Sequence, residues 1–145
     1  MFLGEYEHSL DAKGRMAIPA RFRALLGEGA YMTRGFDKCL VIYPPDVWRS
    51  FAERLDALPT TQPAASTMKR FIFAGATECE FDKQGRVLIP ASLRSYAELS
   101  ETAVVVGQYS RIEVWDRGRW QEVSARAEAE SGNIAEHLAT LGLDI

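Results

Sequence analysis

Two short segments carry the residues best suited to chemistry: Asp11-Ala-Lys-Gly-Arg15 and Asp82-Lys-Gln-Gly-Arg86. Each sets a carboxylate four positions before a guanidinium, across a glycine. An arginine bonds a guanine edge bidentately or clamps a phosphate, and it discriminates bases only when held in one rotamer by a rigid support. Gly14 and Gly85 tolerate the tight backbone of such a turn, and Asp11 and Asp82 are placed to orient the arginine across it. A bland alternative exists: the pair is a surface ion bridge worth about 0–1 kcal/mol. For one segment the two readings weigh about equally; the pair's occurrence in two diverged segments, together with the family resemblance given below, favours nucleic-acid contact by Arg15 and Arg86. Lys13, Lys83, Arg21, Arg23 and Arg94 are candidates for phosphate contacts, which position a protein without specifying sequence. Arg21, Arg23 and Arg94 fit equally well as solvated helix charges.

Catalysis finds little purchase. The only histidines are His8 and His137. No Gly-x-Ser-x-Gly, no Gly-x-x-x-x-Gly-Lys-Ser/Thr and no cluster of metal ligands occurs, so neither an enzymatic activity nor a cofactor is expected. Glu7 and Glu78 read as strand-surface charges, and Trp48 and Trp120 as core anchors. Cys39 and Cys79 form no Cys-x-x-Cys motif and read as reduced thiols, which points to the cytoplasm. The N-terminus lacks a basic stretch ahead of an apolar one, so no signal peptide is expected. The longest apolar runs, Phe71–Ala74 and Ala103–Val106, fall far short of the roughly 18 residues that cross a bilayer.

A net charge of −3 over 145 residues does not mark a nucleic-acid binder. The distribution says more. Asp11–Arg23 carries +3 and Asp82–Arg94 carries +2, while Glu113 to the end carries −4. Affinity for DNA must therefore come from placed patches rather than from a bulk field.

Both basic segments belong to a repeat. Shifted by 71 residues, Gly4–Arg23 falls on Gly75–Arg94 with identity at nine of twenty positions, including Glu7/Glu78, Asp11/Asp82, Gly14/Gly85, Arg15/Arg86, Pro19/Pro90 and Arg23/Arg94. With the shift eased to 72, Leu40/Ile112, Ile42/Val114, Tyr43/Trp115 and Trp48/Trp120 also align. The expected organisation is a first unit over 2–58, a linker with a short helix over 59–73, a second unit over 74–130 and a tail over 131–145.

Within the first unit, Tyr6, His8 and Leu10 alternate with Glu5, Glu7 and Ser9 as a strand does. The Asp11–Arg15 turn leads into an extended segment to Ile18. Pro19 opens a short helix over Ala20–Leu26, which Gly27 and Gly29 stop. A hairpin over Ala30–Arg34 and Cys39–Tyr43 follows, then an amphipathic helix bearing Val47, Trp48, Phe51, Leu55 and Leu58. The second unit repeats this plan, with a hairpin over Ala103–Gly107 and Ile112–Trp115 and a helix from about Arg117. The tail beyond Gly132 reads equally as a weak helix and as disorder. Units this small bury little surface alone, so one shared core is expected: a mainly β, pseudo-symmetric, barrel-like body with appended helices.

The Asp-x-x-Gly-Arg turn followed by Met16-Ala-Ile-Pro19, and again by Val87-Leu-Ile-Pro90, resembles the signature of swapped-hairpin AbrB-type DNA-binding domains. Two copies in a chain opening Met-Phe-Leu-Gly, with Val105-Val-Gly-Gln-Tyr109 and Glu113-Val-Trp-Asp116, are similar to the MraZ family of bacterial transcriptional regulators. The resemblance implies two interlocked hairpin units forming a pseudo-dimer, with Arg15 and Arg86 on double-stranded promoter DNA and Asp11 and Asp82 supporting them. It further implies a homo-oligomeric ring at the nucleoid that represses its own division and cell-wall operon through short direct repeats. Neither a membrane nor a small-molecule substrate is expected as partner. The competing expectation is a ring-forming protein-interaction scaffold without sequence-specific DNA binding.

Overall fold

The computed structural model describes residues 1–145. Strand β1 (Glu5–Ser9) leads through the first turn into β2 (Arg15–Ala17) and helix α1 (Ala20–Leu26). The hairpin of β3 (Tyr31–Arg34) and β4 (Leu40–Tyr43) comes next, then α2 (Pro45–Asp56) and α3 (Pro63–Gly75). The second unit supplies β5 (Thr77–Glu78), β6 (Arg86–Leu88), α4 (Ala91–Tyr96), β7 (Thr102–Gly107), β8 (Ile112–Asp116) and α5 (Arg117–Thr140).

Strand pairing crosses between the units. β1 pairs antiparallel with β7, from Glu5 opposite Val106 to Ser9 opposite Thr102, and β5 pairs with β3, Glu78 opposite Tyr31. Each unit's first strand thus completes the other unit's hairpin. The central pair β4–β8 sets Val41 opposite Glu113, and the ribbon β2–β6 sets Met16 opposite Val87. In both ladders these are matching positions of the repeat, so one pseudo-twofold axis passes through both. Six strands form one sheet in the order β1-β7-β8-β4-β3-β5, and β2–β6 form a separate ribbon. Single bridges, Leu10 to Met16 and Phe81 to Val87, tie the ribbon to the sheet's two edges. The body is β-rich with appended helices, as expected, but the large sheet is not closed into a barrel.

The central strands read as apolar runs because both of their faces are covered. On one face, Met32, Leu40, Ile42, Val105, Ile112 and Val114 pack with Met16 and Val87 of the ribbon and with Phe22, Leu26 and Leu93 of the short helices. On the other, Val41, Tyr43, Val104, Val106 and Trp115 meet Val47, Trp48 and Phe51 of α2 and Trp120 and Val123 of α5. Trp48 and Trp120 are therefore core anchors, half-buried against this second cluster. Prolines punctuate the first unit's helices: Pro45 stands in the first turn of α2 and Pro63 in that of α3, where a missing amide hydrogen breaks no helical bond. α5 has no proline, starts on an Asp116 side chain that accepts from the Arg119 amide at 3.1 Å, and continues through Gly132 to Thr140. The terminal segment is helical, one continuous element with the second unit's last helix. It contains no buried residue.

Candidate nucleic-acid interface

Asp11 closes its turn with both carboxylate oxygens. Its Oδ1 accepts from the Lys13 and Arg15 amides, each at 2.9 Å, and its Oδ2 accepts from Arg15 Nε at 2.9 Å. The backbone adds Gly14 N donating to Asp11 O and Asp11 N donating to Arg15 O, both at 3.0 Å. The second turn repeats the pattern. Asp82 Oδ1 accepts from the Gln84 and Arg86 amides at 2.9 Å, and Oδ2 accepts from Arg86 Nε at 2.8 Å. Gly14 at φ 82° and Gly85 at φ 76° take the left-handed conformation on which both turns depend.

These bonds set the local electrostatics. The Arg15 amide, helped by the Arg15 side chain and the Lys13 amide, holds the Asp11 carboxyl down at about 2. The Arg86 amide, with the Arg86 side chain and the Gln84 amide, lowers Asp82 in the same way. Each arginine spends its Nε on its own aspartate, which fixes the guanidinium plane. The side chains of Arg15 and Arg86 remain 31% and 30% exposed, so both are braced yet within reach of a ligand.

The short β2–β6 ribbon brings the two arginines together, Arg15 standing opposite Leu88 and Arg86 opposite Ala17. The turns are also braced crosswise. Arg94 donates to Lys13 O at 3.4 Å and to Ile89 O, and Ile89 N donates to Gly14 O at 2.9 Å. A Cβ on Gly14 would collide with the Arg94 guanidinium, and one on Gly85 with that of Arg23. Each unit's short helix therefore lays an arginine over the other unit's turn. Lys13 and Lys83 stand exposed in the turns, and Arg21 is exposed on α1. The crosswise position of Arg23 and Arg94 is invisible in the sequence, where both read only as basic residues near a helix end.

The other candidates for chemistry take structural places. Glu7 pairs with Arg117 at 3.3 Å, and Glu5 accepts from Trp120 Nε1 at 3.0 Å; both seat α5 on β1. His8 lies opposite Ala103, and burial lowers its pKa, which keeps the ring neutral near pH 7. Burial pushes Cys39 and Cys79 up to about 12, so both are protonated thiols, and neither is in a disulfide. No three His, Cys, Asp or Glu side chains gather where they could hold a metal ion. No helix is long and apolar enough to cross a membrane.

Two hairpin units that exchange first strands, each with an Asp-x-x-x-Arg turn, define a tandem swapped-hairpin protein of the AbrB type. The family model described as "MraZ protein, putative antitoxin-like" matches residues 1–71 and again 72–141. A relative named Transcriptional regulator MraZ from Desulfitobacterium hafniense strain Y51 is 52% identical over 143 residues, covering 99% of this chain and 100% of its own. Relatives of the same name from Herpetosiphon aurantiacus and Halothermothrix orenii are 52% and 48% identical, each over 143 residues with the same coverage. The chain belongs to the MraZ family.

Proposed function

We propose that this chain is a sequence-specific DNA-binding transcriptional regulator that uses its paired Asp-x-x-x-Arg turns on double-stranded promoter DNA. The observation that carries this reading is the pair of braced, part-exposed arginines, Arg15 and Arg86, presented by one short ribbon. A surface ion bridge needs neither two backbone donors on each aspartate nor a second arginine laid across each turn. Arg15 and Arg86 contact the DNA. Lys13, Lys83 and Arg21 add phosphate contacts, and Arg23 and Arg94 hold the turns while directing remaining donors to the backbone. The units 2–58 and 74–130 each contribute one turn, joined through 59–73, and 131–145 forms the tail.

The finer reading is a cytoplasmic, nucleoid-associated repressor of its own division and cell-wall operon, acting on short direct repeats as a ring of identical subunits. Repetition offsets the weakness of a single acidic subunit, because weak turns repeated at the spacing of the sites gain avidity. The test is fluorescence anisotropy on duplex from upstream of the protein's own gene, against a scrambled duplex, at several salt concentrations. Tight, salt-sensitive binding to the native duplex, lost in Arg15→Ala/Arg86→Ala, is the expected result. Equal binding to both duplexes indicates a non-specific architectural role. A second reading rests on the C-terminal segment, where Ile134 of α5 and Leu141 just beyond it are 45% and 70% exposed: a ring-forming protein scaffold, which no DNA binding by an assembled sample would favour.

A further inference from the structure

The two turns match in every bond that each makes within itself, and the one ion pair that joins the two Asp–Arg pairs runs in one direction only. Arg86 Nη1 donates across the ribbon to Asp11 Oδ2 at 3.3 Å. The mirror contact, Arg15 to Asp82, is not made: Arg15's ion pair is with Asp11 alone. Asp11 therefore accepts from Lys13 N, Arg15 N, Arg15 Nε and Arg86 Nη1, whereas Asp82 accepts only from its own turn. Consequently Arg15 keeps both terminal nitrogens free of protein acceptors. Arg86 has its Nε on one aspartate and an Nη on the other.

This matters for what each guanidinium can do. Bidentate recognition of a guanine edge needs two unoccupied N–H groups on one side of the fork, and a guanidinium engaged on two carboxylates has fewer to offer. A phosphate can be met by a single remaining N–H. Building on the DNA-binding reading above, we propose that Asp11 is the shared positioning residue for both arginines, with Arg15 as the base-reading side chain and Arg86 as a phosphate contact that locks one turn to the other. The tip residues differ in the same region, Lys13 standing where the second turn has Gln84, but the division of labour follows from Asp11 alone.

Two measurements on the full-length protein test this. In anisotropy titrations, Arg15→Lys is expected to cut the preference for the native over the scrambled duplex by roughly ten- to a hundredfold, the worth of one bidentate pair. Arg86→Lys is expected to weaken both duplexes by a similar factor and leave the preference standing. A loss of preference equal in the two variants, or larger in Arg86→Lys, overturns the assignment. The second measurement needs no DNA. Double-mutant cycles on urea midpoints pair Asp11→Asn with Arg86→Ala, and Asp82→Asn with Arg15→Ala. Coupling in the first cycle and none in the second is the expected result; equal coupling, or none in either, removes Asp11 as a shared anchor. If the wild type binds no promoter DNA, the regulator reading fails by itself, the base-reading role of Arg15 falls with it, and the cycles still decide the role of Asp11.

Discussion

The first and second units build the same turn to within a tenth of an ångström in each hydrogen bond, yet they end in different helices. Around Asp11 and Asp82 the distances run 2.9, 2.9 and 2.9 Å against 2.9, 2.9 and 2.8 Å. After the hairpins, the first unit stops its helix at Asp56 and starts another at Pro63, whereas the second runs unbroken from Arg117 to Thr140. At the repeat offset of 72, Pro59 falls on Ser131 and Pro63 on Ala135. The units keep a common geometry where the side chains that enforce it are kept, and diverge where a proline forbids the next helical turn in one copy only. The first unit's break serves the fold. α3 turns back onto β3, where Thr33 Oγ1 donates to Ile72 O at 2.5 Å and Arg34 lies over the Phe71 ring at 5.5 Å, and it delivers the chain to β5.

The core offers the bluntest way to break this comparison. Phe22 and Leu93 occupy the same repeat position and are both buried in the main cluster; Phe22 additionally meets the rings of Phe2 and Tyr6 edge-on at 5.3 Å. Phe22→Ala is expected to cost about 3–5 kcal/mol and Leu93→Ala about 2–5 kcal/mol, read from urea unfolding. Because the core is shared, each is expected to shift a single transition rather than split it into two.

Next in size come the turn glycines. Gly14→Ala and Gly85→Ala each force a side chain into a left-handed backbone and against an arginine of the other unit. Each is expected to cost about 1–3 kcal/mol. A thermal melt of both variants measures this directly.

Acid sharpens the comparison of the two aspartates. Their folded-state pKa values lie below the unfolded value, so the stability they contribute is complete above about pH 4. It is lost as pH falls through the folded values, toward about 2 for Asp11. Stability measured from pH 5 downward should therefore decline less steeply in Asp11→Asn and Asp82→Asn than in the wild type. Parallel curves for variant and wild type would remove the turns from the acid response.

The smallest global effect is expected from Ser131→Pro, which places the first unit's break in the second. Proline costs a helix interior about 3 kcal/mol locally. Since α5 contains no buried residue, the loss should appear as reduced far-ultraviolet helical signal with an unchanged unfolding midpoint. A lowered midpoint would mean that the end of α5 is held by contacts with another copy.

Much of this was legible in the residues. The 71-residue offset exposes the duplication, Pro19 and Gly27 bracket α1, and the Asp-x-x-Gly-Arg spacing marks both turns. Other features were not legible, for definite reasons. Strands with similar apolar patterns do not state which partner they choose, so the exchange of β1 and β5 came only through family resemblance. β5 carries a pattern like that of β1, yet pairs over two residues where β1 pairs over five. The continuity of α5 was obscured by Gly132 and a sparse apolar stripe. The reach of Arg23, Arg94 and Arg86 across the pseudo-twofold axis is tertiary, and no local spacing encodes it.

The exchanged first strands also govern how the chain comes into being. β1 finds its partner only in β7, and the main core closes only when Val87, Ile89, Leu93 and Ile112 arrive. During synthesis the first half leaves the ribosome with the main-core face of its β3–β4 hairpin uncovered and with β1 and both outer edges of that hairpin unpaired, and must stay so until the second half follows. Such non-local pairing folds slowly and leaves a window for intermolecular association. For this protein, the vulnerable moment is its own translation.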